Sequence, residues 1–309
     1  MPFRIIGDTN IDFIGKRTPA YILSALLVLL GIFAAVMIAS GNANLGIQFT
    51  GGTVVEGYFD QPVDIGDLRA ALERGGFEDA EIVHVAGRPQ PYTFFIRVKV
   101  AEGETQKAQS VVNLIKQYFP DNNFNLDTVH EVGAAVGKDL KKDTLIAVAL
   151  SLLGILIYIA IRFDFRFGVC ATIATFHDVL AVLGIFYLMG VEINILLISA
   201  ILTLAGYSLT DKVTVYDRIR ENLKKFHRKA DFVPSVNLSI NEVLSRTIMT
   251  GTTVLACLII LAIVGGPVLR DFALALLVGI LIGTYSSIFV ASTMYVDWET
   301  RSPKRFRAS

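Results

Sequence analysis

The stretch 193-INILLISAILTLAGYSLTDKVTV-215 decides how this chain is read. It begins as a run with no ionisable group and ends by setting Asp211 beside Lys212. A spanning helix needs about 20 mostly apolar residues, and this stretch is long enough. A charge near mid-bilayer costs at least about 2.5–3.5 kcal/mol on insertion scales, so such groups face a bundle interior, find a partner or sit near water. Asp211 is therefore a candidate functional group by position alone. On the same helix Tyr207 and Ser208 precede it by one turn, so a hydroxyl cluster shares its side of the helix.

Working outward, five further segments qualify as spans: 20–39, 144–161, 168–189, 247–264 and 272–295. Composition agrees, with 53% hydrophobic residues and 18% charged and a mean hydropathy of +0.56. Soluble domains carry about a quarter charged residues, so the chain belongs with membrane proteins. The formal net charge of +0 gives no general attraction to nucleic acid. The stretch 1-MPFRIIGDTNIDFIGKRTP-19 is mixed and charged, which predicts a retained anchor in the first span rather than a cleaved leader. Cys170 and Cys257 lie inside apolar runs, where they read as small buried hydrophobes without disulfide or zinc spacing.

Lys and Arg flank the spans unevenly. Arg4, Lys16, Arg17, Arg162, Arg166, the 218-RIRENLKKFHRK-229 run and Arg301, Lys304, Arg305 and Arg307 fall on one side; the short opposite loops 190-GVE-192 and 265-GGPVLRD-271 offer only Arg270. The positive-inside rule then predicts cytoplasmic termini at 1–19 and 297–309. It places a five-helix bundle at 141–296, with a cytoplasmic loop at 216–245, and puts residues 40–140 outside the cytoplasm. Lys212 is expected to snorkel its ammonium to the cytoplasmic interface.

The segment 40–140 has a different texture. Strands are predicted at 45–59, 80–86, 92–100 and 124–134, and helices at 64–76 and 103–119. Phe94, Ile96 and Val98 alternate with Phe95, Arg97 and Lys99, the two-residue period of a half-exposed strand. Asp64 and Glu104 mark helix starts, and Gly75-Gly76 a stop. The order βαββαβ predicts a small ferredoxin-like α+β domain, which by itself implies no activity. The second span is expected to continue as helix from 135-AVGKDLKKDTL-145.

No enzyme signature appears. The stretch 133-GAAVGKD-139 has too few residues between its glycines for a phosphate loop, and Asp139 stands where Ser or Thr would bind magnesium. GxSxG, HExxH and paired CxxC patterns are missing. The chemistry rests on ionisable and hydroxyl groups in the spans. Arg246 opens the fifth span at the depth expected for Asp211. Thr247, Thr250 and Thr253 follow it, and with Tyr207, Ser208, His177 and Asp178 they make a candidate polar pathway. Each has a structural alternative: Asp211 and Arg246 as a buried ion pair, His177 as a packing histidine, the threonines as helix–helix glue. Such groups on several helices point to ion translocation more than to catalysis. An aspartate carries a proton only if burial first favours its neutral form and an approaching cation then favours the ionised one. Arg246 does not deprotonate, so its role there would be to modulate Asp211. The membrane potential supplies about 2.3 kcal/mol per charge per 100 mV.

The residues 49-FTGG-52, 136-VGKDL-140, 162-RFDFRFGVCATIATFHD-178, 206-GYSLTDKVTVYDRIREN-222 and 246-RTIMTGTT-253, in this order, resemble the SecF family of protein-export subunits over nearly the whole chain. The resemblance implies a non-enzymatic transporter of the resistance–nodulation–division type with no cofactor. It implies SecD as partner, in a pseudo-repeat of six-span halves, together with the SecYEG channel, a translocating unfolded polypeptide and the bilayer. It also implies a proton, or sodium, as coupling ion. The family's membrane aspartate and arginine fall on Asp211 and Arg246, and its His-Asp pair on His177 and Asp178. Thr210 stands where the family usually has Asn. Two other readings stay open: a passive scaffold of the translocon, and a small-molecule exporter of the same superfamily.

Overall fold

The computed structural model describes residues 9–78, 80–85, 90, 92–98, 107–225 and 231–303. The expectations resting on Arg4, Ala86, Lys99, Val100, Glu104, Arg228, Lys229, Lys304, Arg305 and Arg307 lie outside these residues. Among the described residues, six helices are long and apolar enough to cross a membrane. They are α1 (Arg17–Ala39), α5 (Ala134–Arg162), α6 (Phe165–Leu188), α7 (Ile195–Lys225), α8 (Phe232–Val264) and the stretch formed by α9 (Gly266–Ser286) and α10 (Ser292–Arg301). Between α9 and α10 the helix widens into a π-turn at Ser287–Ala291. Such turns recur at functional sites in helices.

The chain divides into two compact units, one comprising 1–44, 148–191 and 196–309, the other 45–147 and 192–195. In the first unit, α6, α7 and the α9–α10 stretch are about half buried, whereas α1, α5 and α8 are mostly exposed. Exposed apolar side chains such as Ile22, Leu26, Ile161 and Ile263 cover those outer helices, as a bilayer or a partner subunit requires. At one end of this bundle an aromatic cluster closes the core. Phe167 stacks on Tyr295 with ring centroids 3.9 Å apart, and the Tyr216 hydroxyl donates to the Ala291 carbonyl at 3.0 Å. The segment before α1 is clamped to α8: the Asn237 carboxamide accepts from the N–H groups of Phe13 and Ile14, and Asn241 exchanges two hydrogen bonds with Ile11. Asp12 accepts from the Gly15 N–H and the Asn237 amide, and these donors hold its carboxyl below the usual carboxylate range.

The second unit is a four-stranded antiparallel sheet in the order β2-β3-β1-β4. Its strands are β1 (Gly52–Phe59), β2 (Glu81–Val85), β3 (Thr93–Val98) and β4 (Phe124–Val132). Helices α3 (Ile65–Arg74) and α4 (Lys107–Tyr118) complete the βαββαβ arrangement. The alternation read in β3 holds: Phe94, Ile96 and Val98 enter the core with Val55, Phe59, Leu68, Leu72, Val112 and Ile115. Asp64 caps α3 by accepting from the Gly66 N–H at 2.6 Å, and Gly75 and Gly76 end the helix. Asp64→Ala should destabilise this unit by about 1 kcal/mol, read as faster hydrogen exchange of the α3 amides in the full chain; unchanged exchange would remove the cap from the argument.

Two expected elements change. The strand expected over 45–59 is shorter, because 47–50 coils into a single helical turn, α2 (Ile47–Thr50), before β1 begins. Gly51 and Gly52 make the change of direction with φ values of 73° and 151°, in the region that favours glycine. A Cβ on Gly137, at the start of α5, would lie 2.8 Å from the Gly51 nitrogen. The motifs 49-FTGG-52 and 136-VGKDL-140 thus meet through backbone close approach. The loop expected at 216–245 is mostly helix, since α7 runs on to Lys225 and α8 begins at Phe232. Its charges are matched locally: Arg218 pairs with Glu221 and Glu242, and Asn222 donates to Ser239 and Glu242. Side-chain pairing one turn apart suits such a solvent-facing extension.

Candidate functional site: a buried charge cluster

Successive helix residues are about 100° apart, so Asp211 and Lys212 leave α7 in different directions. Lys212 lies one turn after Ser208 and points with it into the bundle, where both are fully buried. The Lys212 ammonium donates to Asp178 Oδ2 on α6 at 2.6 Å and also to Ser208 Oγ. Asp178 Oδ2 accepts from the Ser208 hydroxyl and from Ser286 at the end of α9, the latter at 2.8 Å. Its other oxygen, Oδ1, lies 2.9 Å from His177 Nδ1. Asp178, Lys212, Ser208 and Ser286 all have no exposed surface, and His177 has almost none. The expected snorkelling of Lys212 is therefore wrong. Its four-methylene stem reaches inward because a carboxylate and hydroxyls wait there, and the ion pair offsets desolvation of both charges.

Asp211 faces the other way, toward Thr247 on α8 and Ser287 in the π-turn. It is partly buried, yet its Oδ2 and the Thr247 hydroxyl both lack a hydrogen-bond partner among the described residues. Tyr207 and Thr250 neighbour one another close to Asp211. Arg246 is exposed and forms no ion pair among the described residues, so within this chain it does not neutralise Asp211. The Thr250 and Thr253 hydroxyls donate back to carbonyls of their own helix, those of Arg246 and Met249. Thr250 and Thr253 stay on an exposed face, which they share with Cys257; only Cys170 has the buried position expected of both cysteines. The structure thus joins His177, Asp178 and Ser208 in one network and places Asp211, Tyr207, Thr247 and Thr250 beside it.

Ser286, Ser287 and Lys212 are the members that reading the sequence did not place. A signal existed in 284-TYSSIFVAST-293, a hydroxyl-rich patch within an apolar run. Ser286, Ser287, Ser292 and Thr293 from it are all fully buried. Near the other end of His177 the ring of Tyr285 lies 6.4 Å away, and its hydroxyl donates to the Ala20 carbonyl on α1.

Fold and site together define a six-span membrane protein with a ferredoxin-like domain and a buried ion pair in its bundle. A family profile described as "Protein export membrane protein SecD/SecF, C-terminal" matches residues 111–301. The protein translocase subunit SecF of Thermodesulfovibrio yellowstonii is 48% identical over 290 residues, covering 94% of this chain and 95% of that protein. The SecDF subunit of Thermus thermophilus is 40% identical over 296 residues, and this chain spans 39% of its length. The crystal structure of that translocon-associated SecDF superposes with a TM-score of 0.81 at 38% identity, over 95% of this chain and 39% of the other. The chain belongs to the SecF family of bacterial multi-pass protein translocase subunits.

Proposed function

We propose that this SecF subunit works beside SecD on the Sec translocon and uses the proton motive force to help an unfolded polypeptide cross the cytoplasmic membrane. Association with SecD and the translocon is supported by the fused SecDF relative and by the wording of its crystal structure. Both termini lie in the cytoplasm and residues ~40–140 outside it, following the Lys and Arg bias.

The observation that carries the coupling is the division of labour between two carboxylates. Asp178 is neutralised by Lys212 and held by two hydroxyls and His177. Asp211, one residue from Lys212, has an oxygen, Oδ2, without a hydrogen-bond partner among the described residues. Asp211 has no ion-pair partner among the described residues, and a proton is the smallest group that removes its charge. An arriving cation would release that proton again. Arg246, exposed on α8, is available for this from a face that a partner subunit would cover. The intact pair also supports the scaffold reading, in which these charges only hold helices together.

The test replaces Asp211 with Asn and measures completion of translocation in vesicles with and without a proton gradient, with complex abundance checked by pull-down. Stimulation by the gradient should disappear while the complex persists at normal abundance. Undiminished stimulation overturns the coupling role, and parallel loss of complex and function favours the scaffold.

A further inference from the structure

The Asp178–Lys212 site holds more oxygen than a lysine needs. Asp178 Oδ2, Ser208 Oγ and Ser286 Oγ converge from α6, α7 and α9, and all three side chains are fully buried. The ammonium makes two of its hydrogen bonds to members of this set. His177 fixes the carboxylate from its other oxygen, so Oδ2 stays turned toward the hydroxyls. On α9, a Cβ at Gly283 would come within 3.0 Å of Ser208 Oγ. The missing side chain therefore lets α9 press against the Ser208 level of α7.

One carboxylate with serine hydroxyls is the oxygen donor set that a small hard cation takes. An ammonium and a sodium ion carry the same charge, and oxygen lone pairs satisfy both. Hydroxyls supply two lone pairs and rotate to suit, so the same serines can turn either proton or lone pair inward. Lys212 occupies the place such an ion would take, at the end of a tether.

We infer that Lys212 is a built-in cation that fills an alkali-cation cage formed by Asp178, Ser208 and Ser286, and so excludes sodium from the interior of this subunit. Its bearing on coupling rests on the proton-driven reading above: with this cage closed, Asp211 is left as the exchanging group and sodium is not its rival at Asp178. The occupancy of the cage is independent of that reading, because it is a binding property that needs no gradient.

The experiment uses the full-length chain purified from membranes with the subunits that accompany it. Melting temperature is followed against sodium chloride and lithium chloride, with choline chloride at equal ionic strength as reference. The natural chain should respond equally to all three salts. Lys212→Ala and Lys212→Ser, which empty the cage, should gain a melting temperature that rises with the logarithm of sodium concentration, by several degrees at saturation. Adding Asp178→Asn to either should abolish the gain. If neither variant is recovered in choline, purification is repeated in sodium: recovery there alone supports the cage, and failure in both salts overturns it. A sodium-specific, Asp178-dependent shift in the natural chain, or flat responses in folded Lys212 variants, also overturns it. Loss of gradient coupling in Asp211→Asn is read separately, so either proposal can fall while the other stands.

Discussion

Asp178→Asn should destabilise the membrane bundle by about 3–5 kcal/mol, the cost of leaving a buried charge without its partner. The substitution keeps the shape but turns one acceptor oxygen into an NH2 donor, and it strands the Lys212 ammonium, which has no exposed surface in its present rotamer. Two serine hydroxyls and His177 would still surround the carboxamide, so the loss reports charge and hydrogen bonding rather than packing. Adding Lys212→Met to Asp178→Asn should restore most of the stability, because an apolar replacement of a buried pair is often neutral or better. The thermal or denaturant midpoint of the full-length chain in detergent measures both. A single-mutant loss below about 1 kcal/mol, the range of exposed pairs, would show that the cluster is wetter than its geometry. Exposed pairs such as Arg162–Asp217 offer the internal comparison, and breaking that one should change stability little.

Much of the fold was legible because two periods dominate it. Long apolar runs gave six spans, and the alternation in β3 together with the punctuation at Asp64 and Gly75-Gly76 gave the sheet domain. What failed was local. The run 45–59 reads as one strand, yet Gly51 and Gly52 both adopt left-handed backbone and α2 forms before them. Hydropathy also stops at the first cluster of charges, so α7 appeared to end near Val215. In the structure the helix continues to Lys225, stabilised by pairs such as Arg218–Glu221 that a loop would not align.

The site was legible in its members but not in its pairing. Asp211, Asp178, His177 and Ser208 were identifiable as polar groups in apolar helices. The obvious pair on the sequence was Asp211 with Arg246, since both stand at similar expected depth. The structure pairs Asp178 with Lys212 instead, and Arg246 stays exposed. The reason is rotational. Lys212 shares the face of Ser208, Leu204 and Val215, all buried, whereas hydropathy treats neighbours on a helix as equivalent. A face assignment of α7 by burial of Leu197, Ala200, Leu204 and Ser208 carries Lys212 inward four residues later.

The second large effect lies where α1 crosses α6. A Cβ on Gly31 would stand 2.2 Å from the Leu180 carbonyl oxygen, and one on Gly184 would stand 2.8 Å from the Gly31 nitrogen. Ala34 and Ala181 beside them are fully buried. Small residues let helix backbones approach in a membrane, where no hydrophobic force drives the association. Gly31→Val meets backbone rather than a flexible side-chain tip, so the helices must separate instead of repacking. Overpacking costs about 1–3 kcal/mol where a core can adjust, and this crossing should lose at least the upper figure. The melting temperature and the yield of a disulfide between cysteines placed on α1 and α6 should fall together. Gly154→Ala serves as the control, since nothing lies within 4 Å of its added Cβ. The crossing also bears on the ion site: α6 carries His177 and Asp178 about two turns before Gly184, and α1 accepts the Tyr285 hydroxyl through Ala20. If Gly31→Val melts like Gly154→Ala, α1 is not held by this contact, and α6 keeps Asp178 in place through α7 and α9 alone.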